Sequence, residues 1–559
     1  MTAPDPGTDA TPAPLARYGA LVAGLTLLAF TLRLAAGLAQ HAMVPEYAAY
    51  YATAAEELAR GHGLTVPYAW SYLVPAVSNG LALPRPAFDV WLPGASLVAA
   101  PFVPWLGGDT ASRLAGALAG AALVPLVASL GRRAAPAMGE APRVADRLSL
   151  VAAGLVAVSL PLVTGSISSD SQALFGVTTL AGVLAVERAV ERGRGRDLLL
   201  AGLVLGAGLW VRNEAIFVLA AAALIVARAG DAPPESRTRA PAPGGRVRAL
   251  ARSALLVLVA AATYAPWAVR QWLVFGSPMP SGAAANALSA SPLDIFGWAA
   301  PRPTLGEYLA LGPGQLLDQR VTAVWHNLVE VLLFPALPWS LVGIAGIVLL
   351  WRARPLRLLI AVTVAILAAD TLVFPVATLF GTFLHGSAPV MALLAIGAAS
   401  AAIRGAAWLG RTRIAAGPWL GGAVVRAIPA AIGVVTLAGV LITTASGSTG
   451  YAAWANDVPV RYGALARGLA EAGLGDAVVI ASHPSWAWRV AGHPAVTLPA
   501  EDGASILSLA RAYGATVVAV DGQDGGWPAA ASTTPCLVPI PLPADAGALT
   551  AFRVACTGP

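Results

Sequence analysis

Long apolar segments separated by short arginine-rich connections run along most of this chain of 559 residues. An α-helix needs about 20 predominantly apolar residues to cross a hydrocarbon core about 30 Å thick. Inside that core every backbone polar group must find a hydrogen-bond partner within the protein. A chain with many such segments is therefore predicted to fold as a bundle of membrane-spanning helices.

Composition and charge support the same class of protein. Hydrophobic residues make up 57% of the chain, charged residues 11%, and the mean hydropathy is +0.70, which is outside the range of soluble domains. The net charge of +6 comes from arginine, because the chain contains no lysine. These arginines lie in the connections between apolar segments, as in cytoplasmic loops. We therefore interpret the arginines as signals that set the orientation of the helices in the membrane, and we expect no nucleic-acid partner.

With the arginine-rich connections on the cytoplasmic side, the pattern predicts about 11 transmembrane helices. The N-terminus is then cytoplasmic and the C-terminus extracytoplasmic, in a multi-pass protein of the cell membrane. Residues 90–107 are apolar but contain three prolines, so we interpret them as an interfacial or re-entrant helix. The predicted spans are 16–39, 110–130, 148–165, 173–190, 198–211, 215–228, 253–273, 335–351, 358–376, 387–403 and 427–445.

Three regions follow from this topology. Residues 1–14 are expected to be a disordered cytoplasmic tail, and residues 15–445 form the transmembrane domain with external loops 40–109 and 274–334. Residues 446–559 alternate between helical and strand patterns, which predicts a small extracytoplasmic α/β domain. The predicted elements of this domain are helices at Val458–Ala472 and Ala504–Tyr513 and strands at Ala477–Ala481, Ala515–Val520, Cys536–Ile540 and Leu549–Ala555.

The only two cysteines, Cys536 and Cys556, both lie in the exported tail. In an oxidising compartment two readings stay open: a structural disulfide, or two buried free thiols. The histidines are scattered, and neither a metal-ligand spacing nor a nucleotide-binding loop is present in the sequence. We therefore expect no cofactor, and the sequence does not indicate a divalent metal.

Charged residues interrupt the apolar stretch from Asp197 to Gly230 at Arg212-Asn213-Glu214. A charge at the centre of a bilayer costs about 2.5 to 3.5 kcal/mol on insertion scales. Two short helices that meet in a polar turn avoid most of this cost, with the turn sunk into a cavity lined by protein. Such a turn is predicted to be functional, and the alternative is an Arg212–Glu214 ion pair that stabilises the hairpin.

Several short motifs occur in a fixed order along the chain. They are Glu46 after the first span, Tyr50-Tyr51, Gly61-His62-Gly63, Trp91-Leu92-Pro93, the Ala201–Leu209 run before Arg212, and Ala265-Pro266-Trp267 with Arg270. In these features the chain resembles the C-type (GT-C) glycosyltransferases. The resemblance is to the group of the protein O-mannosyltransferases and lipid A aminoarabinose transferases, glycosyltransferase family 39, and it covers roughly residues 15–400.

The resemblance implies a hexosyl- or pentosyltransferase that moves a sugar from a polyprenyl-phosphate-linked donor to an acceptor hydroxyl on the outer face. The acceptor is a glycan, a lipid or a protein. Glu46, where the family usually has Asp, is the implied general base, since an ionised carboxylate can take the acceptor proton. Arg212 and Arg270 would then stabilise the charge that grows on the leaving lipid phosphate.

Six further residues are candidate substrate-binding groups, each with a structural alternative. Aromatic side chains near the membrane surface also form interfacial belts. Acids and histidines in external loops are often structural. The candidates are Tyr50, Tyr51, Trp91, Asp170, Glu214 and His385.

Two other functions share much of the pattern: a transporter or flippase for a lipid-linked sugar, and a non-catalytic protein derived from the GT-C enzymes. Transporters commonly show internal repeats, and this sequence has no convincing one. A cavity approached by Glu46, Arg212 and Arg270 together would favour the transferase.

Overall fold

The structure is a computed structural model, and it describes residues 13–70, 82–168, 170–229, 245–280, 285–298, 303–351, 353–411, 422–522 and 534–556. The predicted N-terminal tail therefore lies almost entirely outside the described residues. The helices of the first half are α1 (Ala13–Leu38), α2 (Glu46–Ala59), α3 (Gly94–Ala99), α4 (Val103–Leu106), α5 (Gly108–Ala137), α6 (Pro142–Val158), α7 (Leu160–Ile167), α8 (Ser171–Arg192), α9 (Gly195–Gly208), α10 (Ala215–Ala229) and α11 (Gly245–Phe275).

Shorter helices and the tail make up the second half. Two π-helical turns, His326–Leu333 and Ala369–Val373, extend α14 and α16. The helices of this half are α12 (Leu293–Phe296), α13 (Leu305–Ala310), α14 (Gly312–Trp325), α15 (Trp339–Leu350), α16 (Arg357–Ala368), α17 (Thr382–Gly386), α18 (Ala388–Arg411), α19 (Gly422–Glu471), α20 (Pro484–Arg489) and α21 (Gly503–Tyr513).

Six helices among the described residues are long and apolar enough to cross a membrane, and the number rises to eight if each of two bent helix pairs counts as one span. The chain is therefore a multi-pass membrane protein, and the count of about 11 crossings stays a prediction. The six are Ala16–Leu38, Gly108–Ala137, Ser171–Arg192, Gly245–Phe275, Arg354–Val373 and Ala388–Trp408, and the bent pairs are Pro142–Val158 with Leu160–Ile167 and Gly312–Ala336 with Trp339–Leu350.

The two short helices predicted around the Arg212 turn are confirmed. α9 has 14 residues and α10 has 15, so at 1.5 Å per residue each reaches only about 22 Å of a core about 30 Å thick. Within residues 90–107, predicted to be an interfacial or re-entrant helix, Gly94–Leu106 is an apolar helix of less than spanning length, and its position relative to the membrane stays a prediction. The predicted loop 274–334 differs from expectation, because it contains α12, α13 and α14.

A buried arginine stabilises the break between α6 and α7, where the chain bends by 50°. Pro161 has no N–H for the carbonyl of Ala157 four residues earlier. The Arg33 guanidinium fills this role, donating to Ala157 O at 2.6 Å and to Val156 O at 3.0 Å. Thr444 donates to Val158 O at 2.6 Å. The carbonyls left over at the end of α6 are therefore satisfied by side chains of two other helices.

The tail forms most of a six-stranded sheet with the order β2-β5-β4-β6-β8-β7. The first four strands in this order run parallel and the last two pairings are antiparallel. A separate antiparallel pair joins β1 to β3. The strands are β1 (Thr65–Val66), β2 (Tyr68–Ala69), β3 (Arg85–Pro86), β4 (Val479–Ala481), β5 (Ala495–Thr497), β6 (Val517–Asp521), β7 (Leu537–Ile540) and β8 (Leu549–Val554).

Most predicted elements of the tail are present, but the sheet also uses a strand from residues 40–109, the segment predicted to be the first external loop. Its edge strand β2 pairs with β5, and the packed core beneath it is shared between α2 and the tail, with Tyr50 and Trp486 in one buried cluster. No pattern in the sequence predicted β2, β5 or α20. The boundary expected at residue 446 lies inside the continuous helix α19. A disulfide joins Cys536 to Cys556, with Cα atoms 5.3 Å apart.

Candidate functional site

A polar cluster lies at the end of the helix bundle where the connections before α8, between α9 and α10, and around α17 meet. Asp170 is the N-cap of α8, and its Oδ1 accepts from the N–H of Gln172 at 2.6 Å. Its Oδ2 is 2.7 Å from Nδ1 of His385 in α17. Both side chains are largely buried, with 3% of Asp170 and 13% of His385 exposed. Two predicted candidates that are distant in sequence are thus in direct contact.

Arg212 ties this cluster together. Its guanidinium forms a two-bond ion pair with Glu214, as the structural alternative for the turn supposed. It also donates to Ser171 Oγ at 2.9 Å and to the carbonyl of Thr382 at 3.0 Å. One arginine therefore contacts the start of α8, its own turn and the start of α17.

A third buried carboxylate lies beside this ion pair. Asp370, in the π-helical turn after α16, is 1% exposed. Its Oδ2 has no hydrogen-bond partner within the described part of the chain. A Cβ at Gly386 would lie 3.7 Å from Glu214 Oε1 and 3.9 Å from Asp370 Oδ2, so both carboxylates face the same glycine. An unpartnered buried carboxylate oxygen costs free energy, which makes Asp370 a candidate functional residue.

Helix α2 covers one side of the cluster with aromatic rings. Tyr47 packs edge-on against His385, with ring centroids 4.5 Å apart. Burial and the nearby Asp170 raise the pKa of the Tyr47 hydroxyl well above its usual range, and burial also raises the pKa of Tyr51. Both hydroxyls therefore stay protonated at neutral pH and can donate hydrogen bonds to an anion.

Glu46 points away from its neighbour Tyr47 and toward the tail. Its Oε1 accepts from the N–H of Ser485 at 2.9 Å, and its Oε2 lies 3.2 Å from Nδ1 of His483. The carboxylate thus satisfies an N–H in the first turn of α20. Only 12% of the side chain is exposed.

Arg270, the second predicted phosphate-binding arginine, lies on α11. It donates to the backbone carbonyls of Ala87 at 2.9 Å and Leu64 at 3.1 Å. Its guanidinium also lies over the Trp267 ring, 5.1 Å from the centroid. Among the described residues, no contact joins Arg270 to Glu46 or Arg212, so these three candidates are not held together as one cluster.

The remaining aromatic candidates have two kinds of environment: some pack within the protein, and one faces the polar cluster. The Tyr50 hydroxyl accepts from the N–H of Phe88 at 2.7 Å, and its ring lies 4.9 Å from Trp91. Tyr51 is on the cluster side, where Arg212 and Asp170 act on its hydroxyl. Trp91 stacks against Tyr51 of α2, with ring centroids 5.9 Å apart.

Three members of the cluster, Asp370, Ser171 and Thr382, were not among the predicted site residues. Asp370 had a usable signal, because an acid inside an apolar run is a functional candidate. The other two act through one hydroxyl and one carbonyl, which no motif reveals. Within the described ranges, no group of three His, Cys, Asp or Glu side chains is arranged to hold a metal ion.

This bundle, with its loop-side cluster, has the fold of the C-type glycosyltransferases. Residues 108–243, which include Asp170 and Arg212, match the family model described as dolichyl-phosphate-mannose-protein mannosyltransferase. The resemblance inferred from the sequence is therefore confirmed. No curated protein matches the chain in sequence.

Three solved structures illustrate the similarity. The oligosaccharyltransferase of Archaeoglobus fulgidus, tethered with an acceptor peptide, matches with a TM-score of 0.58 and 14% identity, over 91% of this chain and 69% of that one. The same organism's AglB, with an inhibitory peptide and a dolichol-phosphate, gives 0.52 and 12%, over 94% and 72%. ArnT from Cupriavidus metallidurans, bound to undecaprenyl phosphate, gives 0.54 and 14%, over 98% and 100%. At these identities the likeness is one of fold.

Proposed function

We propose that this protein transfers a sugar from a polyprenyl-phosphate-linked donor to an acceptor hydroxyl. The observation that carries the proposal is the Arg212 cluster: a buried guanidinium among carboxylates, on a GT-C fold and inside the segment that matches the mannosyltransferase family model. Two of the similar structures hold a polyprenyl phosphate, namely dolichol-phosphate in AglB and undecaprenyl phosphate in ArnT.

In the proposed reaction, the acceptor oxygen forms a bond to the anomeric carbon while the bond from that carbon to the phosphate oxygen breaks. The acceptor proton passes to a carboxylate, and the electron pair leaves with the lipid phosphate. A fixed cation stabilises the charge growing on that phosphate, and we assign this role to Arg212. The assignment of Arg270 to the same phosphate is weaker, because its donors already bind backbone carbonyls.

Glu46 is our proposed general base, on the strength of the family resemblance. Glu46 is the first residue of α2 and directly precedes Tyr47, whose ring packs against His385. To act as a base, Glu46 must exchange its hydrogen bonds with the tail for one with the acceptor. Asp170 is the rival base, because it already lies beside the Arg212 cluster.

The test is release of polyprenyl phosphate by the full chain in lipid nanodiscs, with a panel of carrier-linked sugars and an envelope fraction as acceptor. We expect release that depends on acceptor and falls by about 10²- to 10⁴-fold in Glu46→Gln, the usual contribution of general base catalysis. Glu57→Gln on the same helix is the matched control and should retain release.

The possible results separate the alternatives. Loss in Asp170→Asn with retention in Glu46→Gln would move the base to Asp170. Carrier binding without release in wild type would contradict the transferase and favour a transporter or a non-catalytic protein.

A further inference from the structure

The tail holds the carboxylate of Glu46 by both of its oxygens. Oε1 accepts from the N–H of Ser485 at 2.9 Å, and Oε2 lies 3.2 Å from Nδ1 of His483. An ionised carboxylate only accepts hydrogen bonds, so Nδ1 of His483 is the donor in this contact. The proposed general base therefore rests with one donor from the tail on each oxygen.

Packing fixes the ring of His483 in place. Its centroid lies 4.3 Å from that of the Trp486 ring, and only 17% of the His483 side chain is exposed. Trp486 is itself buried, and its indole N–H donates to the carbonyl of Met43 at 2.9 Å. The tail thus contacts the backbone just before α2 through Trp486 and the first side chain of α2 through His483.

A second set of contacts joins α20 to α2 without involving Glu46. Arg489 pairs with Glu56 at 3.1 Å and donates to the Thr53 hydroxyl at 3.0 Å. The spacing of Glu46, Thr53 and Glu56 places all three on one side of α2, so α20 lies along that side. Because Arg489 and Trp486 anchor the tail independently, the Glu46 side chain can turn away while the two helices stay docked.

From these contacts we infer that His483 and Ser485 form a latch, which keeps Glu46 in a resting position until the acceptor hydroxyl replaces the tail as its hydrogen-bond donor. The inference rests on the proposed function for the role of Glu46 as general base. In this device His483 is a positioning residue, because it acts through Glu46.

The latch has a chemical purpose in a transferase. A base that is free before the acceptor arrives can also take a proton from water. The oxygen of that water would then bond to the anomeric carbon, the electron pair would leave with the lipid phosphate, and the donor would be lost as free sugar. Keeping the base occupied suppresses this side reaction.

Such a latch changes the apparent affinity for the acceptor and leaves the maximal rate alone. A ligand that binds a fractionally populated state has its apparent dissociation constant raised by that fraction. His483→Leu removes one of the two donors and should raise the open fraction about tenfold, the effect of one lost hydrogen bond. We expect the KM for the envelope acceptor to fall about tenfold at unchanged kcat, and release of free sugar without acceptor to rise about tenfold.

His483→Asn is the matched control for this variant. The amide nitrogen of asparagine can take the position of Nδ1, so it keeps a donor beside Glu46. We expect the KM for the acceptor and the release of free sugar to return to the wild-type values.

Carboxylate labelling reports on the latch without any turnover. The full chain in lipid nanodiscs, without carrier or acceptor, is treated with a water-soluble carbodiimide and glycine ethyl ester, and peptide fragmentation gives the labelling rate at each acid. We expect the rate at Glu46 to rise about tenfold in His483→Leu and to return in His483→Asn. Glu56 is the internal reference, because Arg489 of the same tail helix holds it.

The results separate the latch from a general loosening of the tail and from the proposed function. An unchanged labelling rate at Glu46 in His483→Leu, or an unchanged KM for the acceptor, would overturn the inference. A parallel rise at Glu46 and Glu56 with a lower kcat would also overturn it, because His483 would then only keep the tail docked. Labelling as expected, but with no release of polyprenyl phosphate by wild type, would contradict the proposed function and leave the hold on Glu46 standing.

Discussion

Two arginines stand at breaks in apolar helices, and their partners differ in kind. Arg33 donates to two backbone carbonyls at the α6–α7 bend and to the Ser166 hydroxyl of α7, and also to the carbonyl of Ala29 in its own helix. Arg212 pairs with the Glu214 carboxylate, beside Asp370, whose Oδ2 has no hydrogen-bond partner among the described residues. The first arginine replaces hydrogen bonds that a proline removed, whereas the second is held by a carboxylate inside a cluster of charged groups.

The contrast shows that burial of a charge inside an apolar helix bundle does not by itself indicate a functional site. An arginine that fills carbonyls freed by a bend completes the hydrogen bonding that the membrane requires. An arginine among carboxylates keeps a network in which one partner can be exchanged for a ligand. The two classes predict different consequences of mutation, loss of stability for Arg33 and loss of turnover for Arg212.

The largest effect is expected from Arg212→Gln. If Arg212 stabilises the leaving phosphate, release of polyprenyl phosphate should fall by about 10²- to 10³-fold, the usual effect of removing one transition-state donor. Single-turnover release at saturating carrier measures this effect separately from carrier binding.

The control for Arg212 has to address the carboxylates that its removal leaves unpaired. Arg212→Gln combined with Glu214→Gln keeps the local charge balanced, so it should fold normally and remain slow. Recovery of turnover in the double variant would mean that Arg212 acts only by neutralising Glu214. The role of Arg212 would then be structural, like that of Arg33.

A third arginine sharpens the comparison. Arg489 of α20 pairs with Glu56 at 3.1 Å and also with Asp109, and it donates to Thr53 at 3.0 Å. These carboxylates raise the pKa of its guanidinium although burial opposes the shift. Like Arg212 it is held by carboxylates, but these contacts join the tail to α2 and α5, away from the polar cluster around Arg212.

Arg489→Met should therefore lower the free energy of unfolding by about 2 to 3 kcal/mol, below the value for a fully buried pair because Asp109 is 30% exposed. Thermal unfolding of the full chain in a mild detergent measures this loss, and a double-mutant cycle with Glu56→Gln separates the pair from the rest. We expect release per folded molecule to be unchanged. A specific loss of turnover would show that an arginine held by carboxylates outside the Arg212 cluster can also be catalytic.

The sequence predicted features that depend on local pattern. The half-length helices α9 and α10, the polar turn at Arg212 and most tail elements follow from apolar periodicity and the cost of a buried charge. Long-range pairings were not predictable in this way. The Asp170–His385 contact joins residues 215 apart, and β2 contributes a two-residue strand that is too short for any alternating pattern.

The assignment of residues to roles was least predictable from sequence. Glu46 and Tyr47 are neighbours, yet one faces the tail and the other His385. Successive helical residues point about 100° apart, so a motif fixes the position of two side chains without fixing their partners. Arg33 was not singled out, because its partners are carbonyls that become available only through the bend at Pro161.

The smallest effect is expected at Arg33, through stability. Arg33→Met leaves the carbonyls of Val156 and Ala157 without their present donors, and it also removes a buried charge whose desolvation partly offsets that loss. We expect a net decrease of about 1 to 2 kcal/mol in the free energy of unfolding, the scale of one or two unsatisfied carbonyls. Thermal unfolding in the same detergent measures it, with release per folded molecule unchanged.

Gly120→Ala should disrupt the same contacts at the α6–α7 bend without replacing Arg33. A Cβ at Gly120 would overlap both Arg33 and Ser166, so the guanidinium would have to leave its carbonyls. If Arg33 serves the bend, Gly120→Ala and Arg33→Met should be non-additive, because each disrupts the same hydrogen bonds. Additive losses, or a turnover defect in either variant at full folding, would instead place Arg33 with Arg212 among the residues that act on a ligand.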